Sequence, residues 1–200
     1  YTPIDDYQVH NANLFVAEFL IKIGNHTDNK HFIDQGIRSA NFALMEQTKE
    51  GFLPYWGLEQ TDRYSNGKIH TDHYHCGFEI RTLYSIWKNT NIAEFKIAHD
   101  RYFSWYKKNM FTENLLPKYT SKSLYPINIH TSAEAILCNT VMAKNDEDIK
   151  FTLNLAIKIV KDMEYAPGKY THLIKKILGI KVKSNIPLLR WGQAWMFLAL

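Results

Sequence analysis

Residues 70–78 read HTDHYHCGF, and these nine positions hold three histidines, an aspartate, a tyrosine and a thiol. Histidine and tyrosine are side chains that pass protons in enzymes, and a carboxylate beside an imidazole fixes which ring nitrogen carries the proton. On a helix Asp72, His75 and Cys76 share a face at i, i+3 and i+4, a spacing that could also grip a metal ion, with His10 or His130 completing the set. No HExxH, CxxC or comparably tight ligand pattern accompanies them, so no metal and no cofactor are expected. Aspartate is also a preferred helix N-cap, which leaves Asp72 a plain structural alternative. His70 and His73 read as loop or solvent histidines.

Three other stretches carry comparable groups: His10 with Asn11, Asn128 with His130, and Arg190 with Trp191 and Gln193. Between them lie loops rich in aromatic residues, including Tyr55, Trp56 and Tyr119, with Lys118 beside the last. Aromatic rings with scattered polar groups suit sugars, whose ring faces are apolar and whose rims are hydroxyls. A polysaccharide lyase or C5 epimerase must neutralise a uronate carboxylate, abstract the C5 proton and, for elimination, protonate the leaving oxygen. The chain offers His75 or His130 as base, Tyr74 as its acid or base partner, and Arg190 with Asn128 or Gln193 as the carboxylate clamp. The expected catalytic set is therefore Asp72, Tyr74, His75, His130 and Arg190. The expected substrate-binding set is His10, Asn11, Tyr55, Trp56, Lys118, Tyr119, Asn128, Trp191 and Gln193. Hydrolysis would need two carboxyl groups facing across the bond; Asp72 could be one, and Asp5, Asp6 or Glu134 the other.

The elements that must position these groups are helices. Apolar residues recur at helical spacing in Leu14, Ala17, Ile21; Phe32, Ile37, Ala40, Leu44; Phe78, Leu83, Ile86; and Phe95, Ala98, Tyr102, Trp105. The pattern continues in Ala133, Ile136, Leu137, Thr140, Val141 and in Leu153, Ala156, Ile157, Val160, and RWGQAWMFLAL opens a last run. The helices come in pairs with similar punctuation. GNHTDN, KNTN and AKNDED link the members of each pair, and GFLPYW, NLLPKY and APGKY follow. The links supply N-cap residues and the later segments supply stops. The reading is an all-α fold of about three and a half antiparallel helix hairpins. Residues 1–200 are taken as one domain, the C-terminal part of a longer chain. In that frame every unusual polar group falls near the start of the first helix of its pair. There, free N–H groups and positive dipole ends favour anions.

Composition narrows the classes further. The chain has 200 residues and a net charge of +4, but Tyr165 to Ile186 holds five lysines and no acid, while the remainder has 19 basic against 20 acidic residues. A local cationic patch points to an anionic partner such as an acidic glycan, a phosphate or a membrane surface, with a solvated basic hairpin as the plain alternative. No run approaches the roughly 20 apolar residues of a bilayer span. Two cysteines, Cys76 and Cys138, do not make a disulfide framework. Nucleic acid is not expected as a partner, because the basic residues collect in one short segment and no recognition motif accompanies them. The expected compartment is the cytoplasm, or the periplasm if a signal precedes Tyr1.

DHYHCGFEIRTLYSIWKNT, LPKY, YPINIHTSAEAI and IPLLRWGQAWMFLAL together resemble bacterial α/α-toroid proteins encoded with polysaccharide biosynthesis genes. These are relatives of the six-hairpin glycosidases and polysaccharide lyases. The resemblance runs over nearly the whole chain. It departs at Cys76, where that group has Thr, and at Asn128, where it has Asp. It implies an α/α toroid, a ring that usually has about six hairpins, together with action on a glycan, contact with glycan-assembly proteins, and further hairpins ahead of Tyr1. Some members carry the label δ-aminolevulinic acid dehydratase, a chemistry of Schiff-base lysines in a β/α barrel that this pattern does not support. The functional expectation is a carbohydrate-active protein of bacterial polysaccharide biosynthesis or processing. It would act on an anionic polysaccharide or oligosaccharide by lyase, epimerase or hydrolase chemistry. The alternative is a non-catalytic glycan-binding or protein-interaction scaffold built of helical repeats.

Overall fold

Helix pairing begins with α1, His10–His26, and α2, Lys30–Leu44. The link between them turns on Asp28 at φ 53°, and the Asn29 side chain accepts from the Phe32 N–H at 3.3 Å, capping α2. The computed structural model that shows this describes residues 8–57, 59 and 71–200. Asp5, Asp6 and His70 lie outside the described residues. The chain divides into two compact units, residues 1–71 with 78–106 and residues 72–77 with 107–200.

In the first unit α1 buries Leu14, Ala17 and Ile21, the face the periodicity selects. On α2 the buried residues are Gly36, Ala40 and Ala43 rather than the expected Phe32, Ile37 and Leu44. The reason is close approach. A Cβ on Gly36 would sit 2.7 Å from the Ala17 carbonyl oxygen and 2.6 Å from Ile21 Cγ1, so only small residues fit between the two helices. The next pair is α3, His73–Thr90, and α4, Ala93–Asn109. Within the first unit their buried residues include Phe78, Ile80, Leu83 and Ile86 on α3 and Phe95, Ala98, Tyr102 and Tyr106 on α4. The buried Tyr102 hydroxyl donates to Glu79 Oε2 at 2.6 Å.

In the second unit a short strand β1, Ile127–Asn128, leads into α5, Ile129–Met142, followed by α6, Asp146–Met163. Helix α5 is buried on nearly every side, from Ile129 through Met142, whereas α6 buries one stripe of Thr152, Leu155, Ile159 and Met163. That contrast marks α5 as the inner and α6 as the outer member of the pair. Two small antiparallel ribbons, absent from the all-helical expectation, follow. The first joins β2, Glu164–Ala166, to β3, Lys169–Tyr170. The second joins β4, Leu173–Ile177, to β5, Ile180–Ser184, and β1 completes its sheet in the order β1-β4-β5. Leu178 and Gly179, both at positive φ, form the two-residue turn between β4 and β5. A π-helical turn at Leu189–Gln193 then runs into α7, Ala194–Ala199. A Cβ on Gly192 would fall 2.3 Å from Ile129 Cγ2, so the turn can lie against α5 only because this position is glycine. Among the described residues no helix is long and apolar enough to cross a membrane.

Candidate functional site

The site in the second unit is built from the starts of three elements: α3, α5 and the π-helical turn. Asp72 immediately precedes α3 and does two things with one carboxylate. Oδ1 accepts from the His75 backbone N–H at 3.1 Å, an N-cap, and Oδ2 accepts from His75 Nδ1 at 2.7 Å. Asp72 is thus a helix cap, and the same carboxylate also holds the His75 ring. Because Nδ1–H donates to the carboxylate, Nε2 is the basic nitrogen of His75. Asp72 is pinned from the other side as well, by an antiparallel bridge to Thr120 and by the His73 N–H donating to the Tyr119 carbonyl at 3.0 Å.

Tyr74 carries the cluster onward. Its ring centroid is 4.2 Å from that of His75 and 4.6 Å from that of His130, the latter pair stacked at 24°. His130 in turn lies 4.9 Å from Trp191 and 5.2 Å from Trp195. Burial, reinforced by the neighbouring His75 and partly offset by Asp72, lowers the His130 pKa to about 4. His130 is therefore a neutral imidazole at pH 7. Tyr119, at the edge of this group, has its phenol pKa raised by burial and then by the Asp72 carboxylate.

Other expected residues find partly structural places. Asn128 Oδ1 accepts from the His130 N–H at 2.8 Å and caps α5, so it orients the imidazole through the backbone. Lys118 accepts from His73 Nδ1 at its carbonyl, 3.0 Å, while its ammonium reaches the Ser121 carbonyl at 3.4 Å. Gln193 is paired twice with the Tyr170 backbone: Oε1 accepts from its N–H at 3.1 Å, and Nε2 donates to its carbonyl at 2.9 Å. That amide ties the π-helical turn to β3. Arg190 and Trp191 are exposed and line, with Pro187, Leu188, Leu189 and Trp195, a cavity of about 680 Å³. His73, read from sequence as a loop or solvent histidine, is instead completely buried in the first turn of α3, and burial lowers its pKa to about 3. Trp195 was not singled out by the sequence reading; its signal was its position one helical turn beyond Trp191.

His10, Asn11, Tyr55 and Trp56 belong to the first unit. His10 is the first residue of α1 and its Nε2 donates to Glu46 Oε2 at 2.8 Å. Burial lowers its pKa, with Glu46 opposing the shift. Among the described residues His10 Nδ1 and Asn11 Oδ1 are buried without a hydrogen-bond partner. Trp56 bridges to Val9 through its backbone, and its ring meets Tyr55 edge to face at 4.8 Å. This places both aromatic residues at the start of α1, beside a cavity of about 290 Å³ lined by Gln8, His10, Asn13 and Phe42 among others.

Among the described residues no group of three or more His, Cys, Asp and Glu side chains is arranged to hold a metal ion. Cys76 and Cys138 are both buried and form no disulfide. Cys76 packs as a small group on α3.

No protein-family model and no curated protein matches the sequence. Solved structures do match. The GH76A α-1,6-mannanase from Salegentibacter sp. HEL1_6 superposes with a TM-score of 0.71 at 11% identity, over 98% of this chain and 55% of that one. Cellobiose 2-epimerase from Bacillus thermoamylovorans B4167 superposes with a TM-score of 0.70 at 11% identity, over 90% of this chain and 51% of that one. An unsaturated glucuronyl hydrolase specific for heparin gives 0.63 at 13% identity, over 100% and 60%. The chain thus spans a little over half the length of each. At these identities the likeness is one of fold, and the fold is the α-helical hairpin, toroid-like fold of six-hairpin glycosidase-type enzymes.

Proposed function

We propose that this chain carries the catalytic groups of a carbohydrate-active enzyme that abstracts a proton from an acidic sugar in a bacterial polysaccharide, by β-elimination or C5 epimerisation. The observation that carries the reading is the Asp72–His75 pair, hydrogen-bonded at 2.7 Å, set against the Tyr74–His130 stack. An imidazole whose tautomer a carboxylate fixes, with a phenol beside it, supplies a base and an acid for proton transfer. His75 Nε2 or the neutral His130 takes the C5 proton, and Arg190, beside Trp191 and Trp195, neutralises the carboxylate on which the charge develops. Tyr74 then gives its proton to the leaving O4 as the C4–O4 bond breaks and the C4–C5 double bond forms. Trp191 and Trp195 offer ring faces to the sugar.

The fold neighbours support the glycan part of this reading. Among them are a mannanase, an epimerase acting on cellobiose and a hydrolase of unsaturated glucuronyl sugars, so the same arrangement of helices serves several reactions on sugars. The test is a panel of uronate-containing polysaccharides, followed by the ultraviolet absorbance of the unsaturated sugar and, for epimerisation, by exchange of the C5 hydrogen with deuterated solvent. Product or exchange that is lost in His75→Ala supports the assignment. Neither signal with any uronate, from protein shown to be folded, overturns it in favour of a binding or scaffold role.

A further inference from the structure

We propose that the second unit holds a separate cationic groove, between the C-terminal half of α6 and the β4–β5 ribbon, that binds an acidic oligosaccharide chain. The inference rests on reading the chain as glycan-active, but it uses none of the groups of the proton-transfer site. The groove has a volume of about 410 Å³, within the range of small-molecule sites. Its rim carries Lys158 and Lys161 from α6 and Lys181 and Lys183 from β5, with Asp162 as the acidic residue. Strand register explains why two lysines of the ribbon face the same way. Alternate residues of a strand share a face, and Lys183 pairs across with Ile174, which is buried. That face of the ribbon is packed down by Ile174, and Lys181, two residues from Lys183, follows it. On α6 the buried Ile159 and Met163 set the corresponding face, and Lys158, Lys161 and Asp162 flank them.

Charge is in surplus here. Lys158 is paired with Asp162 at 2.7 Å, and among the described residues Lys161, Lys181 and Lys183 have no carboxylate within ion-pair distance. Lys176 and Lys181 face each other directly across the ribbon, a like-charge pairing that costs stability unless an anion relieves it. The floor between the cations is apolar, formed by Ile127, Ile159, Met163 and Ile174. A cationic rim over an apolar floor matches a sugar ring that carries carboxylate, sulfate or phosphate groups: the ring's C–H face lies on the floor and the acidic groups meet the rim. Among the described residues no aromatic side chain lines the groove, which argues against single-stranded nucleic acid, whose bases need rings to stack on. The volume and the spread of the lysines over two elements call for a ligand with several acidic groups on one chain, rather than one small anion.

The test uses a fluorescently labelled hexauronate, its carboxyl-reduced counterpart and inorganic phosphate as probes, with the wild-type chain, His75→Ala, and the triple variant Lys161→Ala, Lys181→Ala, Lys183→Ala. Expected is hexauronate binding that weakens about tenfold in the triple variant and falls several-fold between low salt and physiological salt, as exposed ion pairs do. The charge-preserving Lys181→Arg, Lys183→Arg variant should retain it, and His75→Ala should bind as wild type. Lysine-dependent binding without turnover of any uronate would keep the groove and remove the catalytic reading. Turnover with hexauronate binding that ignores the lysines would do the reverse. Equal binding of the carboxyl-reduced chain, displacement of the hexauronate by equimolar phosphate, or no hexauronate binding to the wild-type chain would overturn the proposal.

Discussion

Replacing Asp72 separates its two duties. Asp72→Ala removes the acceptor of the His75 backbone N–H, 3.1 Å away, and of Nδ1–H, 2.7 Å away. Losing an aspartate cap costs about 1 kcal/mol, and leaving a buried imidazole N–H without its acceptor costs about another 1 kcal/mol. For a chain of this size the sum of about 2 kcal/mol lowers the melting temperature by roughly 4–8 °C. Asp72→Asn behaves differently. Its remaining carbonyl oxygen can still cap α3, so the stability loss stays below about 1 kcal/mol. The amide then turns an N–H toward the imidazole, which selects the opposite tautomer and moves the basic lone pair from Nε2 to Nδ1. Turnover should fall on the order of 10²–10⁴-fold, the usual worth of a positioned proton-transfer group. Thermal unfolding reads the first effect, the elimination or exchange assay the third. Long-range proton–nitrogen correlation spectra of histidine-labelled protein at pH 8 read the tautomer directly. An Nε2–H tautomer for His75 in the wild-type chain, or an Asp72→Asn variant that turns over at the wild-type rate, would refute the reasoning.

Further predictions follow from buried groups elsewhere. His73 has its pKa lowered to about 3, so between the ordinary value of 6.5 and about 3 the unfolded chain takes up a proton that the fold refuses. Stability is therefore full above pH 6.5 and falls with acid at up to about 1.4 kcal/mol per pH unit; denaturant unfolding across pH 3–7 should show that slope, flattened in His73→Asn. His130, held neutral down to about pH 4, predicts an acid limb of turnover near that value if it is the base, measurable in the pH profile and moved by His75→Gln. Tyr102→Phe removes a 2.6 Å donor from the buried Glu79 carboxylate and should cost about 2 kcal/mol in chemical denaturation. Gly36→Ala should cost 1–3 kcal/mol, because its methyl group would meet the Ala17 carbonyl at about 2.7 Å, where the backbone cannot yield.

Hairpin order was legible in the sequence because Asn29 and Asn145 cap the second helices of their pairs, and Asp28 and Asn91, residue types that tolerate positive φ, close the first two links. Helix faces were less legible. In α6 the expected stripe of Leu153, Ala156, Ile157 and Val160 gives way to Thr152, Leu155, Ile159 and Met163, leaving Leu153 58% and Ile157 65% exposed. The helix is apolar on more than one side, so period alone does not choose. The ribbons were missed because strands of two to five residues are too short for alternation to stand out: β5, IKVKS, does alternate, but β2, β3 and β4 do not. In the site, the clustering of Tyr74, His75, His130 and Trp191 followed from their shared place at element starts. The hydrogen bonds that commit Asn128 to a cap and Gln193 to Tyr170 depend on φ, ψ and register, which residue type does not reveal.

Carboxylates are the groups that hydrolysis would need and proton abstraction would not. A hydrolase sets two carboxyl groups roughly 5–9.5 Å apart on either side of the bond, each open to the sugar or to a water molecule. In the second unit the two acids that could serve are otherwise occupied. Both oxygens of Asp72 accept from His75. Glu134 is completely buried, and a Cβ on Gly77 would lie 2.6 Å from its Oε1, so its carboxyl group is packed against the backbone of α3. Elimination or epimerisation needs neither as a general acid. Glu134→Gln keeps the shape of that side chain and should leave turnover of the folded protein within a few-fold of wild type, while a hydrolytic pair built on Glu134 would lose about 10²–10⁴-fold. New reducing ends that appear without unsaturated sugar and vanish in Glu134→Gln would place the chemistry in the hydrolase class and reduce His75 to a support for Asp72.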